Sequence, residues 1–450
     1  MKLTFYGGAR MVTGANYLLE EGGTKILIDC GLHQGSNFCE RHNWEPFLYK
    51  PSDIAAVFVT HAHIDHTGRL PTLVKSGFRG TVYSTPPTRD AAELLLADSD
   101  HILAEEAKRF RKPVLFTPDD IQALMGRWQG VPYHAPVTVG PFTVTLWNAG
   151  HILGSSFLVV EAGGKTVVFS GDLGNSPAPL IGSWEIYDGP ASYCLIESAY
   201  GDRIHEDVAE RKGILEDVIE DTVKKGGTVV IPAFAMERTQ EILYEINDLI
   251  SHGRIPRIPV FLDSPLAIKL TDVYRRYDSY LTHDIGGKLP GDTAHMFTFP
   301  DLHLTLTTEE SKAINNVRPP KIVIAGSGMS HGGRILHHEK RYLPDPKNTL
   351  LIVGYQAEGS LGRQILDGAK TVNILGEEVP VRARVKAIGG YSAHADQAQL
   401  ISWLTPMRMS LRHVFVVQGE EAASEALAGK IVDELAVHTS VPSLGEEVVL

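Results

Sequence analysis

Nineteen histidines are spread unevenly over the 450 residues, and the densest group is His61-Ala62-His63-Ile64-Asp65-His66. Four side chains able to ligate a cation lie within six residues, directly after the β-branched apolar run 55–60, which predicts a buried strand. A loop carrying this HxHxDH spacing can offer His61 and His63 to one metal and Asp65 and His66 to a second, the arrangement that hydroxide-bridged two-metal chemistry requires. A histidine-rich surface loop is the bland alternative, and the preceding strand and embedded acid argue against it. Three or four protein ligands per ion are needed, so one loop is not enough. Two further strand ends offer candidates: Asn148-Ala149-Gly150-His151 after the run 143–147, and Ser170-Gly171-Asp172 after the run 166–169. His151 fits a third ligand and Asp172 a bridging carboxylate. His394, in Tyr391-Ser392-Ala393-His394-Ala395-Asp396, is the remaining candidate, for the second ion. The three cysteines, Cys30, Cys39 and Cys194, form no CxxC pair, so histidine and carboxylate must hold any metal.

The elements that position these groups follow from the apolar pattern. The first 200 residues alternate short β-rich runs with Gly, Pro and polar turns, and a helix is expected within 88–108. This predicts stacked, mixed sheets with helices outside. From residue 204 the rhythm changes: Ile214, Leu215, Val218 and Ile219 repeat at helical spacing up to Gly226-Gly227, the strand 228–231 follows, and Ile242, Leu243, Ile246, Leu249 and Ile250 form another stripe. Further strands at 259–262, 321–325 and 349–353 suggest a doubly wound parallel sheet inserted into the first domain. The expected division is 1–203, 204–375 and 376–450, the last segment completing the first domain through a strand at 414–417 and a helix over 422–435.

Composition narrows the classes. A net charge of −12, from 54 acidic and 42 basic residues, argues against a protein that coats nucleic acid along its whole surface, while leaving room for a local basic groove. No apolar run is long enough for a membrane span, and the amino terminus has no secretory pattern, so a cytoplasmic protein without membrane contact is expected. The first strand begins at Leu3, so no appended RNA-binding module is expected.

The order Asp29, HAHIDH, His151, Asp172 resembles the metallo-β-lactamase superfamily. Glu197-Ser198-Ala199-Tyr200-Gly201, Asp263-Ser264-Pro265-Leu266-Ala267, Gly354-Tyr355-Gln356-Ala357-Glu358-Gly359 and Ser392-Ala393-His394-Ala395-Asp396 resemble its β-CASP branch, and within it the bacterial and archaeal RNA-processing nucleases similar to the cleavage and polyadenylation endonuclease. The resemblance spans nearly the whole chain. It implies an αββα sandwich carrying an inserted parallel-sheet β-CASP domain. It also implies that His61, His63 and His151 hold one zinc, that Asp65, His66 and His394 hold another, that Asp172 bridges them, and that Glu197 orients His394 or a nearby catalytic group. The catalytic set is then Asp65, Asp172, Glu197 and His394, with two zinc ions per chain. Branch members acting on RNA carry histidine at the position of His394, which favours RNA over DNA. One departure concerns the general acid: Gln364 stands where the eukaryotic relatives have histidine.

A polyanion needs a second wall. Three loops at expected strand ends, 233–238, 326–334 and 354–363, are candidates for phosphate contact through backbone N–H groups. Ser327, Met329, Arg334, Gly359, Ser360 and Arg363 are the candidate RNA-binding residues. Between Arg318 and Arg341 five Lys or Arg face one acid, Glu339, which suits a cleft lined for RNA. The expected activity is zinc-dependent hydrolysis of phosphodiester bonds in single-stranded RNA, internally or from the 5′ end, by a hydroxide bridging two ions. The competing readings are a small-molecule metallo-hydrolase of the lactamase or thioesterase type, a DNA nuclease of the same superfamily, and a catalytically silent scaffold. The oligomeric state stays open, a homodimer included.

Overall fold

A computed structural model describes residues 1–34, 41–205, 208–282, 296–354, 356 and 359–450. Cys39 and the motif positions Tyr355, Ala357 and Glu358 lie outside the described residues. The chain forms two compact units, one of residues 1–204 and 394–450 and one of residues 205–393.

In chain order the first unit begins with β1 (Lys2–Gly7), β2 (Asn16–Glu21), β3 (Thr24–Ile28), β4 (Ala56–Phe58), β5 (Thr81–Ser84), β6 (Trp128–Gly130), β7 (Val137–Val139), β8 (Phe142–Asn148), β9 (Ser156–Ala162), β10 (Lys165–Phe169) and β11 (Tyr193–Glu197). The second unit contributes β12 (Thr228–Pro232), β13 (Val260–Asp263), β14 (Leu302–Leu304), β15 (Lys321–Ala325), β16 (Thr349–Val353), β17 (Thr371–Ile374), β18 (Glu377–Pro380) and β19 (Arg384–Ile388). The first unit closes with β20 (His413–Val417), β21 (Thr439–Ser440) and β22 (Glu447–Val449).

The first unit holds two seven-stranded sheets, ordered β22-β1-β2-β3-β4-β5-β6 and β21-β20-β11-β10-β9-β8-β7. Alternation along each strand sends one face inward: Leu158 and Val160 of β9 join Phe5, Ile28 and Phe58 of the facing sheet, while Phe157 and Val159 point outward onto Leu400, Trp403 and Leu427. The outward residues are covered by the helices Gln397–Leu404 and Glu421–Leu435, giving the αββα order of layers.

The second unit is built on a six-stranded sheet, β14-β13-β15-β12-β16-β19, whose neighbours are all parallel. Its central strands β12, β13, β15 and β16 are buried along their whole length, as strands covered on both faces must be. One boundary differs from the sequence expectation. Residues 376–393 do not return to the first unit, because β19 pairs in parallel with β16 over five residues and thus extends the inserted sheet. The return falls at His394. Among the described residues no helix is long and apolar enough to cross a membrane.

Candidate metal centre and active site

The site is assembled at one rim of the sandwich. Strands β3 and β4 run parallel, as do β10, β11 and β20, and β8 shares that direction through its antiparallel neighbour β9. Their carboxyl ends lead, respectively, to Asp29, the 61–66 loop, Asp172, Glu197, Gln418 and His151. Tight turns deliver the side chains: Gly150 and Gly171 take positive φ, and the Ser155 hydroxyl accepts from the His151 and Ile152 amides. His394 returns as the chain re-enters the unit, held against the Asp172 loop by the Ala395 amide donating to Leu173.

Four donors converge. His61 Nε2 and His63 Nδ1 are 3.1 Å apart, His151 Nε2 and His63 Nδ1 3.2 Å, and Asp172 Oδ2 lies 3.4 Å from His61 Nε2 and 3.5 Å from His151 Nε2. A tetrahedral ion bound at about 2.0–2.1 Å holds its ligand atoms about 3.3 Å apart, and these four separations are of that size. Imidazole nitrogens facing one another at this distance, in a pocket where burial pushes the His61 and His63 pKa values down, the latter to about 4, are neutral and available as ligands. The donor set therefore fits a borderline metal such as zinc.

Further candidate ligands surround Asp172, with His66 at its other oxygen and His394 nearer the oxygen that faces His61 and His151. His66 Nε2 is 3.3 Å from Asp172 Oδ1, and Asp65 Oδ2 is 3.9 Å from His66 Nε2. His394 Nδ1 faces Glu197, at 3.2 Å from Oε2, and stands 3.9 Å from Asp172 Oδ2. Asp172, Glu197 and His394 form a cluster whose ligand atoms all lie within 4.8 Å, whereas Asp65 sits at the outer edge, partly exposed. Burial opposes charge on His394, but Glu197 and Asp172 outweigh it and raise its pKa to about 9. Burial also opposes charge on His66, outweighed by Asp172 and Asp29 on either side, which hold it well above its ordinary value.

Three positions had no role in the sequence reading. Asp29, at φ 58°, accepts from the Thr60 amide and hydroxyl and from His66 Nδ1, each at 2.8 Å, which fixes the His66 ring with Nε2 toward Asp172. Thr60 thereby joins the two strand ends. Gln418, buried and at φ 52°, donates from Nε2 to Asp172 Oδ1 at 2.7 Å and lies 3.1 Å from His66 Nε2. Its signal was its place directly after β20, the same strand-end setting that drew attention to His151 and Asp172.

In the second unit the candidate RNA-binding residues meet different fates. Met329 and the 359–363 loop come together, the Gly362 amide donating to the Met329 carbonyl. The Ser327 hydroxyl accepts from the His331 amide at 3.0 Å, and buried Ser360 caps the helix Leu361–Leu366 through the Arg363 amide. Gly359 is exposed at φ 83°. The partly exposed Arg334 donates from its guanidinium to Asp263 Oδ1 at 2.7 Å and to the Thr305 and Leu306 carbonyls, so its charge is paired within the unit. Arg363 is paired with Asp367 at 2.9 Å. Gln364 is exposed, and its side chain donates to the Gly359 carbonyl at 3.4 Å.

Comparison with known proteins agrees with this geometry. Residues 12–205 match the metallo-β-lactamase superfamily, 239–365 the β-CASP domain, and 378–442 the zinc-dependent metallo-hydrolase RNA specificity domain. Among similar proteins, ribonuclease TTHA0252 of Thermus thermophilus is 40% identical over the full length of both chains. The transcription termination factor FttA of Methanosarcina mazei is 32% identical over 98% of this chain and 70% of its own. A crystal structure of a protein of unknown function from Enterococcus faecalis V583 shares the fold, with a TM-score of 0.60 at 13% identity, covering 100% of this chain and 99% of that one. The chain belongs to the metallo-β-lactamase superfamily, in its β-CASP branch, and is a hydrolase of that class.

Proposed function

We propose that the protein is a zinc-dependent ribonuclease that hydrolyses phosphodiester bonds of single-stranded RNA in the cytoplasm. The observation that carries this is the set His61, His63, His151 and Asp172, whose donor atoms all lie within 4.8 Å of one another, with four neighbouring pairs at 3.1–3.5 Å. Asp172 spans from this set to His66, so the second ion would be held by Asp65, His66, Asp172 and His394. When bound, the pair of ions would supply Lewis acidity toward the phosphate and lower the pKa of a shared water toward neutrality. The names of the similar proteins and the matched RNA specificity domain support RNA as the substrate.

The chain's own residues supply the rest. Asp29 accepts from His66 Nδ1 and so turns Nε2 toward Asp172, where it would ligate once a metal displaces its proton. Glu197 holds His394 through Nδ1 and accepts from the Leu173 amide at 2.6 Å, tying ring orientation to the Asp172 loop. Gln364 cannot titrate and acts by hydrogen bonding alone.

The test is digestion of end-labelled single-stranded RNA by purified protein, with and without chelator, beside a DNA of equal sequence and a chromogenic lactam. Metal-dependent cleavage of RNA alone supports the proposal, and turnover confined to lactam or DNA replaces it. Metal analysis should find about two zinc ions per chain; one ion with full activity would sink the binuclear reading.

A further inference from the structure

Two adjacent central strands of the parallel sheet, β12 and β15, send their connections in opposite directions. From β12 the chain runs through the helix Arg238–Ser251 to β13, passing β15. From β15 it runs through the helix Ile335–Tyr342 to β16, passing β12 the other way. Adjacent strands whose connections depart to opposite sides leave a crevice outside their carboxyl ends, where open α/β sheets bind ligands. The loops flanking this crevice are 233–237 and 326–334.

What they present there is an aromatic ring. Phe234 is 42% exposed although it directly follows a fully buried strand. Its ring lies against Gly328: a Cβ at that glycine would stand 2.6 Å from Phe234 Cδ2 and 2.9 Å from Cε2, so only glycine allows the approach. Both supports are pinned, the Phe234 carbonyl by the Thr239 hydroxyl at 2.6 Å and the Gly328 carbonyl by Gln356 Nε2 at 2.9 Å. Two of the arginines in these loops are held by buried acids, Arg238 by Glu241 and Arg334 by Asp263, while Arg363 pairs at the surface with Asp367. A rim that pairs its arginines and exposes a ring set against Gly328 offers a flat, apolar face to a base.

We propose that Phe234 is a stacking platform for one base of the RNA strand, at the β12–β15 crevice. The inference rests on the ribonuclease reading and adds to it a specific subsite. Stacking is tolerant of base identity, because every base has a π-face, and requires only that a base be present at the right register.

Steady-state cleavage of single-stranded RNA by the wild type, Phe234→Ala and Phe234→Trp tests it, together with RNAs in which a single abasic residue is walked along the strand. Phe234→Ala should raise KM by about 5- to 100-fold, the range expected for one lost base stack, with kcat, metal content and thermal unfolding little changed, and Phe234→Trp should restore it. An abasic residue at one register should weaken the wild type and leave Phe234→Ala no weaker than it already is. An unchanged KM in Phe234→Ala, or a loss that Trp does not rescue and no abasic register reproduces, would overturn the platform while leaving RNA cleavage standing. A wild type that cleaves no RNA would overturn both.

Discussion

Substituting Asp29 by Asn changes one atom type in a buried hub and tests how the protein prepares a metal ligand. In the wild type, Oδ1 accepts from the Thr60 amide, and Oδ2 accepts from the Thr60 hydroxyl and from His66 Nδ1, all at 2.8 Å. In Asp29→Asn the amide oxygen keeps the Thr60 amide, so NH2 replaces Oδ2 and faces His66 Nδ1. Two donors cannot meet, and the ring relieves the conflict by moving its proton to Nε2, the atom 3.3 Å from Asp172 Oδ1. A protonated Nε2 cannot ligate. The expected loss is about 10- to 100-fold in metal affinity at the His66 position, with about 1–3 kcal/mol of stability lost as charge-assisted bonds become neutral ones. Asp29→Ala, which leaves its partners unsatisfied, should cost about 3–5 kcal/mol. Zinc titration against a competing chelator gives the affinities, and ring ¹⁵N shifts of His66 followed against pH give its protonation state and, where the ring is neutral, its tautomer. If the Asp29→Asn variant bound zinc with wild-type affinity and stoichiometry, or kept the Nδ1–H tautomer, the assigned role of Asp29 would be wrong.

Gln364→Ala should cost no more than about tenfold in RNA cleavage rate, against the roughly 10² to 10⁴ typical of a lost general acid, and Glu197→Gln should cost more, because it removes the charge that holds His394; single-turnover rates compare the two. Gly31→Ala should destabilise the first unit by about 3 kcal/mol or more and reduce metal binding, since its Cβ would fall 1.5 Å from the Asp65 carbonyl; a wild-type melting curve would refute this. Burial raises the Glu339 pKa to about 7, opposed by the Ser330 hydroxyl bond. The folded state then holds a proton that the unfolded chain releases near pH 4.5, so stability is full below about 4.5 and falls as pH rises to about 7, by roughly 3 kcal/mol at about 1.36 kcal/mol per pKa unit. Denaturant unfolding followed against pH should show that decline in the difference between the wild type and Glu339→Gln, which cancels the histidines that titrate in the same range.

Sequence alone determined the features whose causes are local. The HxHxDH loop was legible because its ligands are neighbours in the chain and the apolar run before them requires a strand that ends there. The parallel sheet was legible because strands buried on both faces read as continuous apolar runs between helical stripes. Tertiary structure decided which distant strand ends meet. It brought His151, Asp172 and His394 to the 61–66 loop, and added Gln418 and Asp29 as the donors and acceptors that orient them. It also overruled sequence proximity where β19 joined the inserted sheet by pairing with β16, and it gave Arg334, a candidate RNA contact in a basic run, a partner in Asp263 from 71 residues away. A side chain's charge is visible in the sequence, whereas its partner is chosen by strand order, and the partner decides whether that charge faces solvent or is neutralised inside.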